Sequence, residues 1–145
     1  MKSSFLPGCV YMYPKSRRKP AMRCQASPGI LLQSSSSYNL VSGNTVNSNG
    51  FGIDMLTSCN SNTLRNNVVR SNSIAGIRLT TCDTNFIYQN EISANDTGIQ
   101  LASSAAGNNI SKNNVTGNTT SALFNSSPVA VNIITRNWWG SVDST

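Results

Sequence analysis

Histidine is absent from this 145-residue chain, and charged residues make up only 11% of it. The first absence removes the commonest general base and the commonest metal ligand. No stretch approaches the roughly 18 apolar residues that a bilayer-spanning helix needs, so the sequence offers no transmembrane segment. In place of charge stand Asn, Ser and Thr, whose side chains bond nearby backbone and favour turns over helices. A chain of this length is material for one domain, and its composition points away from a helical one.

The net charge of +6 suggests a nucleic-acid partner until its position is considered. Residues 1–28 hold Lys2, Lys15, Arg17, Arg18, Lys19 and Arg23 and no acid. From residue 29 onward, Arg65, Arg70, Arg78, Lys112 and Arg136 are balanced by Asp54, Asp83, Glu91, Asp96 and Asp143. A neutral body carries no overall electrostatic footprint for phosphate, so the sequence predicts no nucleic-acid role. The basic leader lacks periodicity and is rich in Pro, Lys and Arg, which predicts a disordered arm over 1–28. Its Ser3–Val10 run is broken by Pro7 and too short for the apolar core of a signal peptide, without which Leu6-Pro7-Gly8-Cys9 is a weak match to a lipoprotein cleavage site, and Cys9 and Cys24 show no readable pattern.

Beyond the leader the chain repeats. Asn39, Asn62, Asn85 and Asn108 stand 23 residues apart, with Asn132 after 24. Five residues after each comes a second column, Asn44, Asn67, Asn90, Asn113 and Asn137, and five further on a third, Asn49, Asn72, Asn95 and Asn118. Each coil thus divides as 5 + 5 + 13 residues. Apolar residues keep the same phase: Val41, Leu64, Ile87, Ile110 and Ile134; Val46, Val69, Ile92, Val115 and Trp139; and the runs beginning Gly29-Ile30, Gly52-Ile53, Gly76-Ile77 and Gly98-Ile99. The third run sits one residue late, which implies an insertion near Ala75 and a deletion before Asn85; the following coil carries Ala122-Leu123-Phe124.

Such a period selects a solenoid. Three short strands per coil cannot bury a face alone, but stacking pairs each strand with its copy about 4.8 Å away, in parallel and in register. The spacing predicts an all-β, right-handed parallel β-helix of about five 23-residue coils over 29–141, followed by a short tail over 142–145. Asn is expected at the corners because it tolerates the left-handed conformation, and its stacked amides are expected to form ladders. The glycine before each Ile is expected to serve as a second permissive corner. A leucine-rich repeat would need L-x-x-L-x-L followed by a helical segment, which no coil supplies.

The pattern N-x-I-x-x-N-x-I-x-x-N-x-x-G-I-x-L resembles the repeats of NosD-like and other right-handed parallel β-helix proteins. Asn137-Trp138-Trp139-Gly140-Ser141 is similar to an Asn-Trp-Trp-Gly element that often follows the last coils in secreted bacterial and archaeal members. The resemblance covers residues 29–141. It implies an extracellular, periplasmic or cell-surface location and, commonly, association with polysaccharide. Some relatives are lyases, epimerases or glycosidases, and NosD itself assists copper-site assembly. Fold does not choose among these.

Candidate chemistry is sparse. Glycoside hydrolysis needs two carboxylates about one bond, and lyase or epimerase chemistry needs a positioned base, often beside a calcium site. One outward column carries Leu31, Asp54, Arg78 and Gln100; the Asp54–Arg78 neighbours read either as a patch on a sugar groove or, more simply, as an exposed cross-strand ion pair. Asp83, Glu91 and Asp96 fall on different sides of one coil. Cys59 and Cys82 each stand three residues before a first-column Asn, with Ala105 next in line. They read as a column of small, semi-buried residues, as a disulfide, or as a weak Cu(I) pair without a supporting His. Ser35, Ser58, Thr81, Ser104 and Ser127 form a hydroxyl column with no base beside it, expected to be a hydrogen-bonding ladder. Trp139 is expected in the core. Trp138 and Tyr88 lead the expected ligand contacts, joined by Asp54, Arg78 and Gln100 on the sugar-groove reading, and Trp138 reads alternatively as a cover over the last coil. No cofactor is implied. The sequence reading is therefore an exported binding or scaffold module for polysaccharide, not catalytic alone. The alternatives are part of a longer lyase or epimerase, and a NosD-like copper-maturation factor.

Overall fold

The computed structural model describes residues 10–12, 27–126 and 131–140; the basic side chains of the leader, its two cysteines, Ser127 and the 142–145 tail lie outside them. Every regular element in the described residues is a strand: β1 (Val10–Met12), β2 (Pro28–Gln33), β3 (Leu40–Ser42), β4 (Thr45–Asn47), β5 (Phe51–Leu56), β6 (Thr63–Arg65), β7 (Val68–Arg70), β8 (Ala75–Thr80), β9 (Phe86–Tyr88), β10 (Glu91–Ser93), β11 (Thr97–Ala102), β12 (Asn109–Ser111), β13 (Asn114–Thr116), β14 (Ser121–Asn125) and β15 (Ile133–Thr135). They form a long sheet, β1-β2-β5-β8-β11-β14, and two short ones, β3-β6-β9-β12-β15 and β4-β7-β10-β13. All pairings are parallel and join successive coils, so Ile30, Ile53, Ile77, Ile99 and Leu123 line up across five strands. This is a parallel β-helix of about five turns with the predicted 23-residue period.

The core is a narrow column. Its rows are Leu32, Met55, Leu79 and Leu101; Val41, Leu64, Ile87 and Ile110; Val46, Val69, Ile92 and Val115; and Ile30, Ile53, Ile77 and Ile99, all buried, with Leu123 partly buried at the end of the last row. Removing each such side chain from water stabilises the fold by about 1.5–3 kcal/mol before entropy is counted. Residues 10–12, within the segment expected to be a disordered leader, instead add a strand to the edge of β2. Trp139 departs from expectation too: it stands in the core column yet is 41% exposed, because no described coil lies beyond it.

The expected insertion lies at Ser73-Ile74, where neighbouring coils have the single residues Gly50 and Asp96. The extra residue is absorbed by one carbonyl accepting twice: Gly50 O takes the N–H groups of Ile74 (2.8 Å) and Ala75 (3.3 Å). The last coil repeats the device, with Asp96 O accepting from Thr120 and Ser121. The compensating deletion is equally local. Three coils turn the corner after the long strand with paired left-handed residues, Ser34-Ser35, Thr57-Ser58 and Ser103-Ser104, whereas the shortened coil uses Thr81 alone.

Candidate functional site

The asparagine columns form three continuous ladders. In each, one Asn sends both its backbone N–H and its Nδ2 to Oδ1 of the Asn one coil later: Asn62 to Asn85 at 2.8 and 3.2 Å, Asn67 to Asn90 at 3.0 and 3.0 Å, Asn72 to Asn95 at 3.0 and 2.9 Å. The second Nδ2 hydrogen bonds main-chain carbonyls, as Asn90 does to Leu64 O and Tyr88 O. The ladders begin at Asn39, Asn44 and Asn49 and run through Asn108 to Asn132, through Asn113 to Asn137, and through Asn95 to Asn118. Their middle members are 0–2% exposed, and these hydrogen bonds are what makes burying the amides tolerable.

The ladders correct two expectations. The ladder Asn is not the left-handed residue; the residue before it is, whatever its type, as at Ser61, Asn66, Ser71, Thr84, Gln89, Ala94 and Lys112. That turn swings the following Asn inward over the stack. The glycines before each Ile do not turn the chain either, for they lie within strands. A Cβ on Gly76 would stand 2.8 Å from Asn95 Nδ2, 2.8 Å from Gly98 O and 2.9 Å from Ile92 Cγ2, so glycine is required by the close approach of the ladder amide, the next coil's backbone and the core row together.

A fourth, reversed ladder escaped sequence reading. Asn60 N–H donates to Ser37 Oγ (3.0 Å), Asp83 N–H to Asn60 Oδ1 (2.8 Å) and Ala106 N–H to Asp83 Oδ1 (2.8 Å). The 23-residue spacing of Ser37, Asn60 and Asp83 was the available signal, hidden by three different residue types. The hydroxyl column behaves otherwise than expected: Ser35 and Ser58 are joined to the next coil by backbone N–H groups, to Thr57 O and Thr81 O.

Of the expected ligand contacts, Asp54, Arg78 and Gln100 do share one column of the long sheet. The pair is not the exposed one expected. Arg78 grips Asp54 with two hydrogen bonds (Nε–Oδ1 2.8 Å, Nη2–Oδ2 2.7 Å), the carboxylate side chain is 3% exposed, and the guanidinium lies 3.6 Å over the Phe51 ring. A carboxylate so enclosed is held, not offered to a ligand. Tyr88 lies on the first short sheet and Trp138, 60% exposed, bridges to Asn114 beside the second. The five expected contacts are thus spread over three faces and make no single site.

Sequence reading missed Phe86, which is two residues before Tyr88 on β9 and 49% exposed. With Leu40 and Ile133 in its column, it gives the first short sheet three exposed large apolar side chains in one row.

Cys59 and Cys82 occupy adjacent coils as free thiols, fully buried, with Ala105 equally buried beyond them. Their sulfurs approach Leu56 O (3.1 Å) and Thr80 O (3.2 Å). Burial raises both thiols, Cys82 to about 12, so they are protonated core residues at neutral pH. Among the described residues no three His, Cys, Asp or Glu side chains gather as a metal-binding group.

A parallel β-helix with asparagine ladders defines the class of protein. Within it, a family model described as periplasmic copper-binding protein (NosD) matches residues 17–143, and the chain belongs to that family. No curated protein and no solved structure matches the chain.

Proposed function

We propose that the chain is an exported, non-catalytic β-helix module that binds extracellular or cell-surface polysaccharide on its outer surface. The observation that carries this reading is the pair of rings on β9, exposed Phe86 and half-buried Tyr88, on a face that also presents Thr63, Arg65, Asn109 and Ser111 beside Leu40 and Ile133, the mixture of ring and hydrogen-bonding groups that suits sugars. The family's periplasmic description supports export. The carboxylates support a non-catalytic role. Asp54 is clamped by Arg78, Asp83 serves the reversed ladder, and Asp96 accepts from Thr119 and Thr120, which among the described residues leaves Glu91 without a partner carboxylate for a two-acid mechanism. Glycan-array binding without product formation is the expected result. A rise in unsaturated-product absorbance on uronate polymers would instead identify part of a lyase.

The family description raises copper as a second reading. The described residues do not suit a resident copper ion. Their soft donors in proximity are Cys59 and Cys82, which are sealed in the core and held protonated, while copper thiolates need deprotonated, reachable sulfur. Stoichiometric Cu(I) uptake abolished by Cys59→Ser with Cys82→Ser would establish the copper reading over the glycan one.

A further inference from the structure

The charges of the coils cancel in sum but not in space. Asp54 and Arg78 neutralise each other, and Asp83 and Asp96 face corners where they accept hydrogen bonds. Arg65 lies directly beside Tyr88 in the outward column of the first short sheet. Lys112 and Arg136 occupy the left-handed corner positions that follow β12 and β15, at the same edge of that sheet on the next two coils. Neither outward column of the sheet contains an acid: they read Leu40, Thr63, Phe86, Asn109, Ile133 and Ser42, Arg65, Tyr88, Ser111, Thr135. The carboxylates nearest in sequence are Asp83, three residues before β9 and engaged with Ala106 N–H, and Glu91, three residues after it, past the Asn90 corner on β10; the other cation, Arg70, is on the second short sheet.

We infer that this face binds an acidic, extended polysaccharide lying along the helix axis, with Phe86 and Tyr88 stacking on sugar rings and Arg65, Lys112 and Arg136 pairing with carboxylate groups. The inference rests on the glycan-binding reading above and names its ligand class and its face. Rungs about 4.8 Å apart place Arg65 and Arg136 roughly 14 Å from each other along the axis, which suits a linear chain carrying anions at intervals. Guanidinium groups match carboxylates bidentately, and three cations without a facing acid make a local positive field that a neutral total conceals. Asn109, adjacent to Phe86 on the next coil, has a buried side-chain oxygen with no hydrogen-bond donor. Turned outward, it would accept from a sugar hydroxyl.

The test is calorimetric titration of the full chain with an oligogalacturonate, a neutral oligosaccharide of equal length and a single-stranded oligoribonucleotide. The oligogalacturonate is expected to bind at least tenfold more tightly than the other two. Phe86→Ala with Tyr88→Ala should weaken that binding tenfold or more, and Arg65→Gln, Lys112→Gln and Arg136→Gln together should do the same and flatten its salt dependence. These positions are on the surface, so an unchanged melting curve verifies folding. Equal binding of the neutral sugar, indifferent to the three Gln substitutions, would overturn the acidic ligand and leave the glycan module standing. Equal or tighter binding of the ribonucleotide would replace the glycan with nucleic acid. Undiminished binding in the aromatic variant would move the site off this face, and no binding of either sugar would remove both proposals.

Discussion

The two five-residue arms of each coil and its thirteen-residue side obey different rules. From Asn62 to Asn67 to Asn72, and again from Asn85 to Asn90 to Asn95, the spacing never varies. Every departure from the 23-residue period falls on the long side, at Ser73-Ile74, at Thr119-Thr120 and at Thr81. The arms end at both sides on side chains whose amides must meet a partner one coil away at about 3 Å. The long side begins and ends on ladder amides too, but the stretches between them where its length changes are tied by backbone hydrogen bonds, which an additional residue can share. Where side chains lock the register, length is fixed; where backbone alone does so, it can change.

One added residue inside an arm should break this contrast most severely. Alanine inserted after Ile87 would move Asn90 out of its ladder and turn Ile87's neighbours to the wrong face, and loss of the cooperative urea transition is expected. The same insertion between Ser103 and Ser104 should leave a cooperative transition. Next in size, Asn90→Ala removes the acceptor of two buried donors and a bridge to Leu64 O, for an expected loss of about 3–5 kcal/mol. Asn49→Ala, at the half-exposed start of its ladder, should cost about 1 kcal/mol, and equal losses at the two sites would refute the ladder as the source of stability. Gly76→Ala should cost about 2–3 kcal/mol through overpacking against the Asn95 amide.

Smaller effects sharpen the picture. Because Cys82 in the fold ionises only at about 12 whereas an unfolded thiol does so near 8.5, its contribution is complete below the unfolded value. It is lost as pH rises through that window, so Cys82→Ala should flatten the alkaline fall in stability measured by denaturation from pH 8 to 11. Ala94→Gly is expected to stabilise by about 1 kcal/mol, because a left-handed alanine at φ 55° is relieved by glycine. A destabilised Ala94→Gly variant in chemical denaturation would contradict that account.

The period was legible because ladders and core rows demand the same residue type at each turn. Identical demands leave identical letters, so fold, coil number and the inward rows could be read directly. The reading erred where a role is served by unlike residues. Left-handed turns at Ser61, Gln89, Ala94 and Lys112 share a backbone shape and no side-chain chemistry, so asparagine received the credit. Gly76 looked like a corner because glycine's freedom is its better-known property, whereas here its lack of a side chain matters. The Asp54–Arg78 pairing was visible in the register, but its enclosure beside Phe51 depends on a contact between different strands. Phe86 was passed over because a single aromatic breaks no pattern; its significance comes from the charges gathered around it.

The ladders also have a direction. At each Asn corner a finished coil presents two N–H donors toward the coil that follows, and that coil brings the oxygen which accepts both. Synthesis delivers coils in that same order, so each newly made turn arrives carrying the acceptors that its predecessor awaits. The three asparagine ladders are thereby polar along the axis. The molecule can wind up turn by turn on a template of its own making, without waiting for its last residues.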